Sequence, residues 1–106
     1  MKLVVEQTKA VGETIPVIVN FSDDLQTGES ITGAACNVTV FSGTDTGPSA
    51  ILSGAASYDA YGNVTQNITG GIVGVIYNVA FVVTASAGHN YVKLCRIAVV
   101  SNDASY

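Results

Sequence analysis

The sequence predicts an all-β protein, and two observations support this fold class. The first is composition, because the 106 residues include 16 Val, 8 Ile and 10 Thr but only 4 Leu. β-Branched side chains lose rotamer freedom in a helix and pack well on a pleated sheet. The second is the alternation of β-branched and aromatic side chains between residues 75 and 100. A period of two residues is the main sequence signal of a β-strand.

The longest predicted element is a β-hairpin, with which we expect the other segments to pair. Its arms are Val75–Ala85 and Tyr91–Val100, and a turn at Ser86–His89 joins them. Alternate side chains of the first arm form one strongly apolar face, which we predict to be the inner face of the core. The main residues of this face are Tyr77, Val79, Phe81 and Val83.

Five further segments show strand patterns separated by glycine, proline and polar turn residues. They are Leu3–Lys9, Thr14–Phe21, Ala34–Phe41, Ala50–Tyr58 and Val64–Ile68. Pro16 cannot donate a ladder hydrogen bond, so it predicts an edge strand or a strand start, and Gly54 predicts a bulge or an edge. Seven or eight short strands at this spacing predict a sandwich of antiparallel strands.

Tyr77 follows a glycine-rich corner at the start of the predicted hairpin. Immunoglobulin-like sandwiches place a tyrosine at such a corner, and its hydroxyl bonds back to the preceding loop. A core aromatic residue is the simpler interpretation, and the two interpretations are compatible.

Length and charge limit the classes of function. A chain of this length fills one hydrophobic core, so we expect residues 1–106 to form a single domain. The net charge is −4, and four Lys and Arg residues are too few to bind nucleic acid or an anionic membrane. The longest apolar run, Val79–Val83, is far too short to cross a bilayer.

The surface is expected to be poor in charge. Only 11% of the residues are charged, and the mean hydropathy is +0.42. Because exposed apolar patches usually mark contacts, we expect neighbouring chains to cover part of the surface in an oligomer or a larger assembly.

Two cysteines are expected to be free. The N-terminal segment Met1–Glu6 alternates instead of forming the apolar core of a signal peptide, so we expect synthesis in a reducing cytoplasm. Cys36 and Cys95 are therefore predicted to be reduced, buried thiols. They are also too few for a zinc site.

The most polar segment is Ser22–Glu29, which we interpret as a turn capped by its own side chains. A calcium site is the alternative, because Asp23, Asp24 and Glu29 bring carboxylates together. The alternating oxygen ligands and central glycine of a helix–loop–helix calcium loop are absent. We favour the turn and predict no metal or cofactor.

No catalytic group is recognisable in the sequence. His89, the single histidine, lies in the predicted hairpin turn without a nucleophile beside it. The segment Thr69–Gly74 lacks the Lys-Ser/Thr of a phosphate loop. We therefore predict a protein that is not an enzyme and has no catalytic, cofactor-binding or metal-binding residues.

Three motifs together resemble a group of small structural proteins of tailed phages. The first is the acidic segment Phe21–Leu25, and the second is Gly28–Thr32, a Gly-Glu/Asp-x-Ile-Thr pattern. The third is the corner Gly70–Tyr77, followed by an apolar strand, a glycine turn and a last strand ending at Val100. The chain departs from the group because it has no Trp after the acidic segment.

The resemblance implies a bacteriophage virion protein with an immunoglobulin-like sandwich and no enzymatic activity. It would decorate or cement the capsid, or lie at the head–tail junction, and its partners would be other virion proteins. An adhesion or carbohydrate-binding module of a fibre or cell surface is the alternative. Such a module presents exposed aromatic side chains, for which the candidates are Tyr58, Tyr61 and Tyr91.

Two segments are expected to contact neighbouring subunits. One is the polar loop Ser22–Glu29. The other is the N-terminal segment Met1–Thr8, which is either an ordered edge strand or an arm that pairs with another chain.

Overall fold

The structure, a computed structural model, describes the backbone of residues 2–101 and the side chains of residues 6–101. Within this range the chain forms strands and one short 3-10 helix, Pro48–Ile51, so the predicted all-β class is confirmed. The strands are β1 Lys2–Ala10, β2 Ile15–Asn20, β3 Ile31–Ser42, β4 Leu52–Tyr58, β5 Asn63–Ile68, β6 Ile76–Ala85 and β7 Asn90–Val100.

The strands form two sheets that face each other in a sandwich. The larger sheet has the order β1-β7-β6-β3, and the smaller sheet has the order β2-β5-β4. The predicted hairpin is β6–β7, at the centre of the larger sheet. Within the described residues it pairs with β1 and β3 alone. The expectation that all segments would pair with it is therefore wrong for β2, β4 and β5, which pair with one another in the smaller sheet. A hairpin has only two free edges, so the remaining strands need a second sheet.

The strand β1 departs from the predicted antiparallel arrangement. It pairs parallel with β7, from Lys2 opposite Lys93 to Ala10 opposite Val100, whereas the other described pairs are antiparallel. The alternation of side chains contains no information on direction, because both orientations place alternate residues on opposite faces. The chain crosses to the smaller sheet after β1, and β1 therefore lies beside the last strand instead of forming a hairpin with β2.

The core lies between the sheets and is built from alternate residues of the central strands. The four predicted core residues of β6 are all 0% exposed, which confirms the inner face. The smaller sheet contributes Val17 and Val19 from β2, Val64 and Ile68 from β5, and Phe21 just after β2. Burial of each large apolar side chain stabilises the fold by about 1.5–3 kcal/mol.

The edge signals of Pro16 and Gly54 are both confirmed. Strands β2 and β4 are the two edges of the smaller sheet, and Pro16 is the second residue of β2. Gly54 has φ +73° and lies where the register of β4 shifts, between Ser53 and Ser57.

The hydrogen bond expected between the Tyr77 hydroxyl and the preceding loop is present. Its hydroxyl accepts a hydrogen bond from the Ile72 N–H at 3.0 Å and donates one to Asp45 Oδ2 at 2.6 Å. The Tyr77 hydroxyl and the Gly47 amide hold the pKa of Asp45 below its usual value. Tyr77 thus fixes both the glycine corner before β6 and the loop after β3.

Both cysteines are free thiols, as predicted, but only Cys95 is fully buried. Cys36 is half-buried because β3 is an edge strand of the larger sheet. The two lie on strands on either side of β6, about two spacings of 4.8 Å apart, which is more than a disulfide can span. Burial, together with the nearby Cys95, raises the pKa of the Cys36 thiol to about 12, and burial raises that of Cys95 to about 11.

Candidate interaction surfaces

The polar loop predicted as a contact element closes one end of the sandwich. Its first residue follows Phe21, whose N–H donates to the Gly62 carbonyl of the β4–β5 turn at 2.8 Å. At the other end of the loop, Ser30 and Ser86 bond to each other through two hydrogen bonds, at 2.7 and 3.1 Å. The loop, the β4–β5 turn and the β6–β7 turn therefore meet at this end.

Glu29 fastens the loop to the β6–β7 hairpin. Its Oε1 accepts hydrogen bonds from the Gln26 N–H at 3.0 Å and the Tyr91 hydroxyl at 2.9 Å, and its Oε2 lies 2.8 Å from His89 Nδ1. The side chain of Glu29 is only 2% exposed. The Gln26 amide, followed by Tyr91 and His89, holds the pKa of this carboxyl below its usual value. The Glu29 carboxylate therefore bonds to groups of the protein itself.

Asp24 has a different partner from Glu29. Its Oδ2 lies 2.7 Å from Lys93 Nζ, and this ammonium also donates to the Asn20 carbonyl at 2.6 Å. The same Nζ lies 5.1 Å from the centroid of the Phe21 ring. The third acidic side chain, Asp23, is exposed.

The carboxylates of the polar loop therefore do not converge. Among residues 2–101 no group of three or more His, Cys, Asp and Glu side chains could hold a metal ion. The geometry explains the polarity of this loop by hydrogen bonds and one ion pair that hold it on the sandwich.

The aromatic candidates for a binding surface differ in what their hydroxyls do. The Tyr58 hydroxyl donates to the Thr32 carbonyl at 2.9 Å, and that of Tyr91 is bonded to Glu29. Tyr61, in the turn between β4 and β5, is 79% exposed. Of the three residues, Tyr61 is the one most open to a partner.

The N-terminal segment is an ordered edge strand of its own sheet over the described residues Lys2–Ala10, while Met1 lies outside them. Lys9 on this strand is fully buried, and its Nζ donates to the carbonyls of Ala10 at 2.9 Å and Gly70 at 2.7 Å. Burial lowers the pKa of Lys9, and nearby Glu13 opposes that shift. One side of β1 is paired with β7, and no strand of the described residues pairs with its other side, which is a free edge of the sheet in that range.

A surface that the sequence analysis missed is the outer face of the larger sheet. The residues of β6 and β7 that do not face the core are largely apolar and only half-buried or exposed. They include Ile76, Ala80, Val82, Val92, Leu94, Ala98 and Val100. The uninterrupted apolar run of β6 was the sequence signal for this surface, because a strand that is apolar on both faces is usually buried on both.

This outer face contains a groove of about 200 Å³. It is lined by Glu6, Gln7 and Thr8 of β1 together with Phe41, Ile76, Arg96 and Ala98. Phe41 is 52% exposed, and the guanidinium carbon of Arg96 lies 3.6 Å from the centroid of its ring. The Nε–H of Arg96 donates to Asn78 Oδ1 at 3.0 Å. A cation thus lies over an exposed aromatic ring, on a sheet face that is otherwise largely apolar.

None of the described residues lie in a helix long and apolar enough to cross a membrane.

Comparison with known families gives a match in sequence. Residues 9–98 match the model of the Gp77 family, described as podophage GP4 fiber-tail adaptor protein gp77. No curated protein matches the chain.

Among solved structures, the chain is similar to part of a 2,6-sialyltransferase from Vibrionaceae Photobacterium sp. JT-ISH-224, crystallised in a ternary complex with CMP and lactose. The identity is 15% and the TM-score is 0.53, over 95% of this chain and 18% of that one. The chain therefore spans less than a fifth of that protein, and the similarity concerns the fold alone.

Proposed function

The chain belongs to the Gp77 family of podophage fiber-tail adaptor proteins, and from this membership we propose that it is a tail-side adaptor that joins a fibre to the tail. The family identifies it as a structural, non-enzymatic protein of a tailed-phage virion. The observation that carries the proposal is the extent of the match, which includes β2 to β6 completely and most of β7.

The resemblance implied capsid decoration or a position at the head–tail junction, and we now favour a position on the tail over capsid decoration. The family description supports this choice, because it names a fibre and a tail and no capsid surface. Capsid decoration is the alternative outcome of the experiment below.

We also propose that the sandwich is immunoglobulin-like. When β2 to β7 are lettered B to G, the sheets have the orders B-E-D and G-F-C, as in constant-type immunoglobulin domains. The hydrogen bond from the Ile72 N–H to the Tyr77 hydroxyl is the corner expected of such a domain. The parallel strand β1 extends the larger sheet beyond β7.

The proposed adaptor binds its neighbours in an oligomeric assembly through the larger sheet. The free edge of β1 offers unpaired main-chain groups to which a strand of a neighbour can add. The outer face beside it offers apolar area with little charge. Contacts of this kind require only that the protein presents a surface of fixed shape, and they involve no chemical reaction.

Particles that lack the protein test the proposal. We expect such particles to keep filled heads and tails but to lose their fibres in electron micrographs, and purified protein added back should restore fibre attachment. Antibody labelling of intact particles should mark the tail. Fibres that stay attached without the protein, or label spread over the head, would contradict the adaptor function, and label over the head would favour capsid decoration.

A binding module for host surfaces is the second candidate, and the 79% exposure of Tyr61 is the observation that favours it. On that view Tyr61→Ser should reduce the adsorption of particles to cells while particle composition stays unchanged. Equal adsorption by the variant and the wild type would exclude Tyr61 as a receptor contact.

A further inference from the structure

We propose that the groove beside Phe41 and Arg96 is the docking site for a segment of another virion protein that presents a carboxylate next to an apolar side chain. This inference rests on the proposed adaptor function and names the chemistry of the partner. It places the specific contact on the outer face of the larger sheet, between β3 and β1.

Arg96 is held ready for such a partner. Its Nε–H is bonded to Asn78, and its guanidinium carbon lies 3.6 Å from the centroid of the Phe41 ring, so the side chain is fixed before any partner arrives. A guanidinium has five N–H donors, and within the described residues the four on its terminal nitrogens have no hydrogen-bond partner. Glu6 is opposite Arg96 in the strand register but forms no ion pair with it within 4.0 Å. A fixed guanidinium with free donors matches the two oxygens of a carboxylate.

The distribution of charge on this protein also favours a carboxylate on the partner. The chain has a net charge of −4, which disfavours the approach of an acidic segment to most of its surface. Three cations have described side chains: Lys9 is fully buried, and Lys93 is paired with Asp24. Arg96 is the one that remains for an external anion.

The apolar residues that line the groove predict the apolar side chain of the proposed partner. Phe41 is half-exposed, and Ile76 and Ala98 lie beside it. Arg and aromatic residues at the centre of an apolar patch are the side chains that contribute most to protein–protein binding. A carboxylate that covers Arg96 therefore brings its apolar neighbour onto Phe41.

Photo-crosslinking in assembled particles tests the site directly. The protein carries a benzophenone amino acid at position 41 in one sample and at position 61 in the control, since both wild-type residues are exposed aromatics. We expect position 41 to crosslink to another virion protein within a few residues of an Asp or Glu. A crosslink to a second copy of this chain, to its own residues 102–106, or to a segment without a carboxylate would overturn the proposal.

Substitution of Arg96 provides the quantitative test. In mixed assembly with wild-type protein, Arg96→Gln should lower occupancy in particles about tenfold, the effect of losing one charge-assisted pair, and Arg96→Lys should lower it less. Glu6→Gln, which lines the same groove, should not lower it. Thermal unfolding identifies variants that merely misfold, and Phe41→Ser replaces Arg96→Gln if the latter does not fold.

The two proposals fail in different ways. If intact protein is absent from purified particles, the adaptor function is wrong. If intact protein is present and both Arg96→Gln and Phe41→Ser reach full occupancy, the docking site is wrong and the adaptor function stands.

Discussion

Lys9, Lys93 and Glu29 are charged side chains that are almost fully withdrawn from water. Burying a charge is costly unless hydrogen bonds satisfy it, and each of the three has at least two close polar partners. A chain with few charges therefore uses several of them to fix its own loops and edges. The surface is left with even less charge than the composition indicates, which suits a protein that is covered by neighbours.

Phe81 tests the core at the scale of one residue. It is 0% exposed, so Phe81→Ala should lower the free energy of unfolding by about 3–5 kcal/mol, from the lost burial and the cavity. The matched control is Phe41→Ala, in which the same side chain is removed from an exposed site and should cost less than about 1 kcal/mol. Urea unfolding measures both. Similar midpoints for the two variants would refute the assignment of the inner face.

Glu29 should make the stability of the protein depend on pH. Its pKa in the folded state is below the ordinary 4.5, so the ionised carboxylate stabilises the fold above that pH, and this stabilisation is lost as the pH falls through the lowered pKa. Glu29→Gln should therefore unfold at a lower temperature than the wild type at pH 7, and the difference should shrink on acidification below about pH 4.5.

Thermal scans at a series of pH values check this expectation. Asp23→Asn, which changes an exposed carboxylate of the same loop, is the control and should follow the wild type at every pH. A constant difference between Glu29→Gln and the wild type from pH 7 to about pH 3 would show that the ionised carboxylate is not the stabilising group.

At the scale of elements, the corner before β6 should distinguish two glycines with nearly the same backbone. Gly71 has φ +93° and Gly74 has φ +88°, so a side chain is strained by about 1–2 kcal/mol at either position. A Cβ on Gly71 would also lie 2.7 Å from Val99 Cγ2, whereas one on Gly74 would meet nothing within 4 Å. Gly71→Ala should therefore destabilise the protein by about 1–3 kcal/mol more than Gly74→Ala. Equal urea midpoints would mean that the corner relaxes.

Alternation predicted the strands well and their partners poorly. The inner face of β6 follows from local sequence alone, because each alternate residue is large and apolar. The prediction started β3 at Ala34, but the strand begins at Ile31, since Ile31 pairs with Ala85 across a register shift that alternation does not show. The parallel pairing of β1 and the partial exposure of Cys36 both depend on which strand lies at which edge, and that is a property of the assembled sheet.

The candidate groove was beyond sequence reasoning for a similar reason. Phe41 on β3 and Arg96 on β7 are 55 positions apart in the sequence, and they meet only across β6, which lies between their strands. The sequence did contain a signal for the exposed apolar face, because the central strand β6 has an unbroken apolar run. That run indicated two covered faces, whereas the sandwich covers only one of them.

At the scale of the whole molecule, the sandwich leaves its larger sheet open in two ways. The smaller sheet covers the inner face, while no strand of residues 2–101 covers the outer face or pairs with the outer side of β1. These two features adjoin, because Glu6, Gln7 and Thr8 of β1 also line the groove. A neighbour that adds a strand to β1 would therefore lie next to Arg96 and Phe41, and one partner could use both.

Two neighbouring proline substitutions in β1 separate its role in folding from its role in assembly. In a strand, consecutive residues direct their N–H groups to opposite sides, so of Gln7 and Thr8 one bonds toward β7 and the other points to the free edge. Proline removes that N–H. One of Gln7→Pro and Thr8→Pro should thus lose a ladder hydrogen bond and about 1–3 kcal/mol of stability, while the other should stay close to wild type.

The variant that keeps its stability is the informative one, and its partner is the matched control. This variant lacks the N–H at the free edge, so a neighbouring strand that pairs there loses a main-chain hydrogen bond. The occupancy of the variant in purified particles should therefore fall. Removing the whole segment would be a poorer experiment, since it would uncover the edge of β7 and take away a strand of the protein's own sheet. Full occupancy of the stable proline variant would show that neighbours do not pair with β1, and would leave the outer face as the remaining contact.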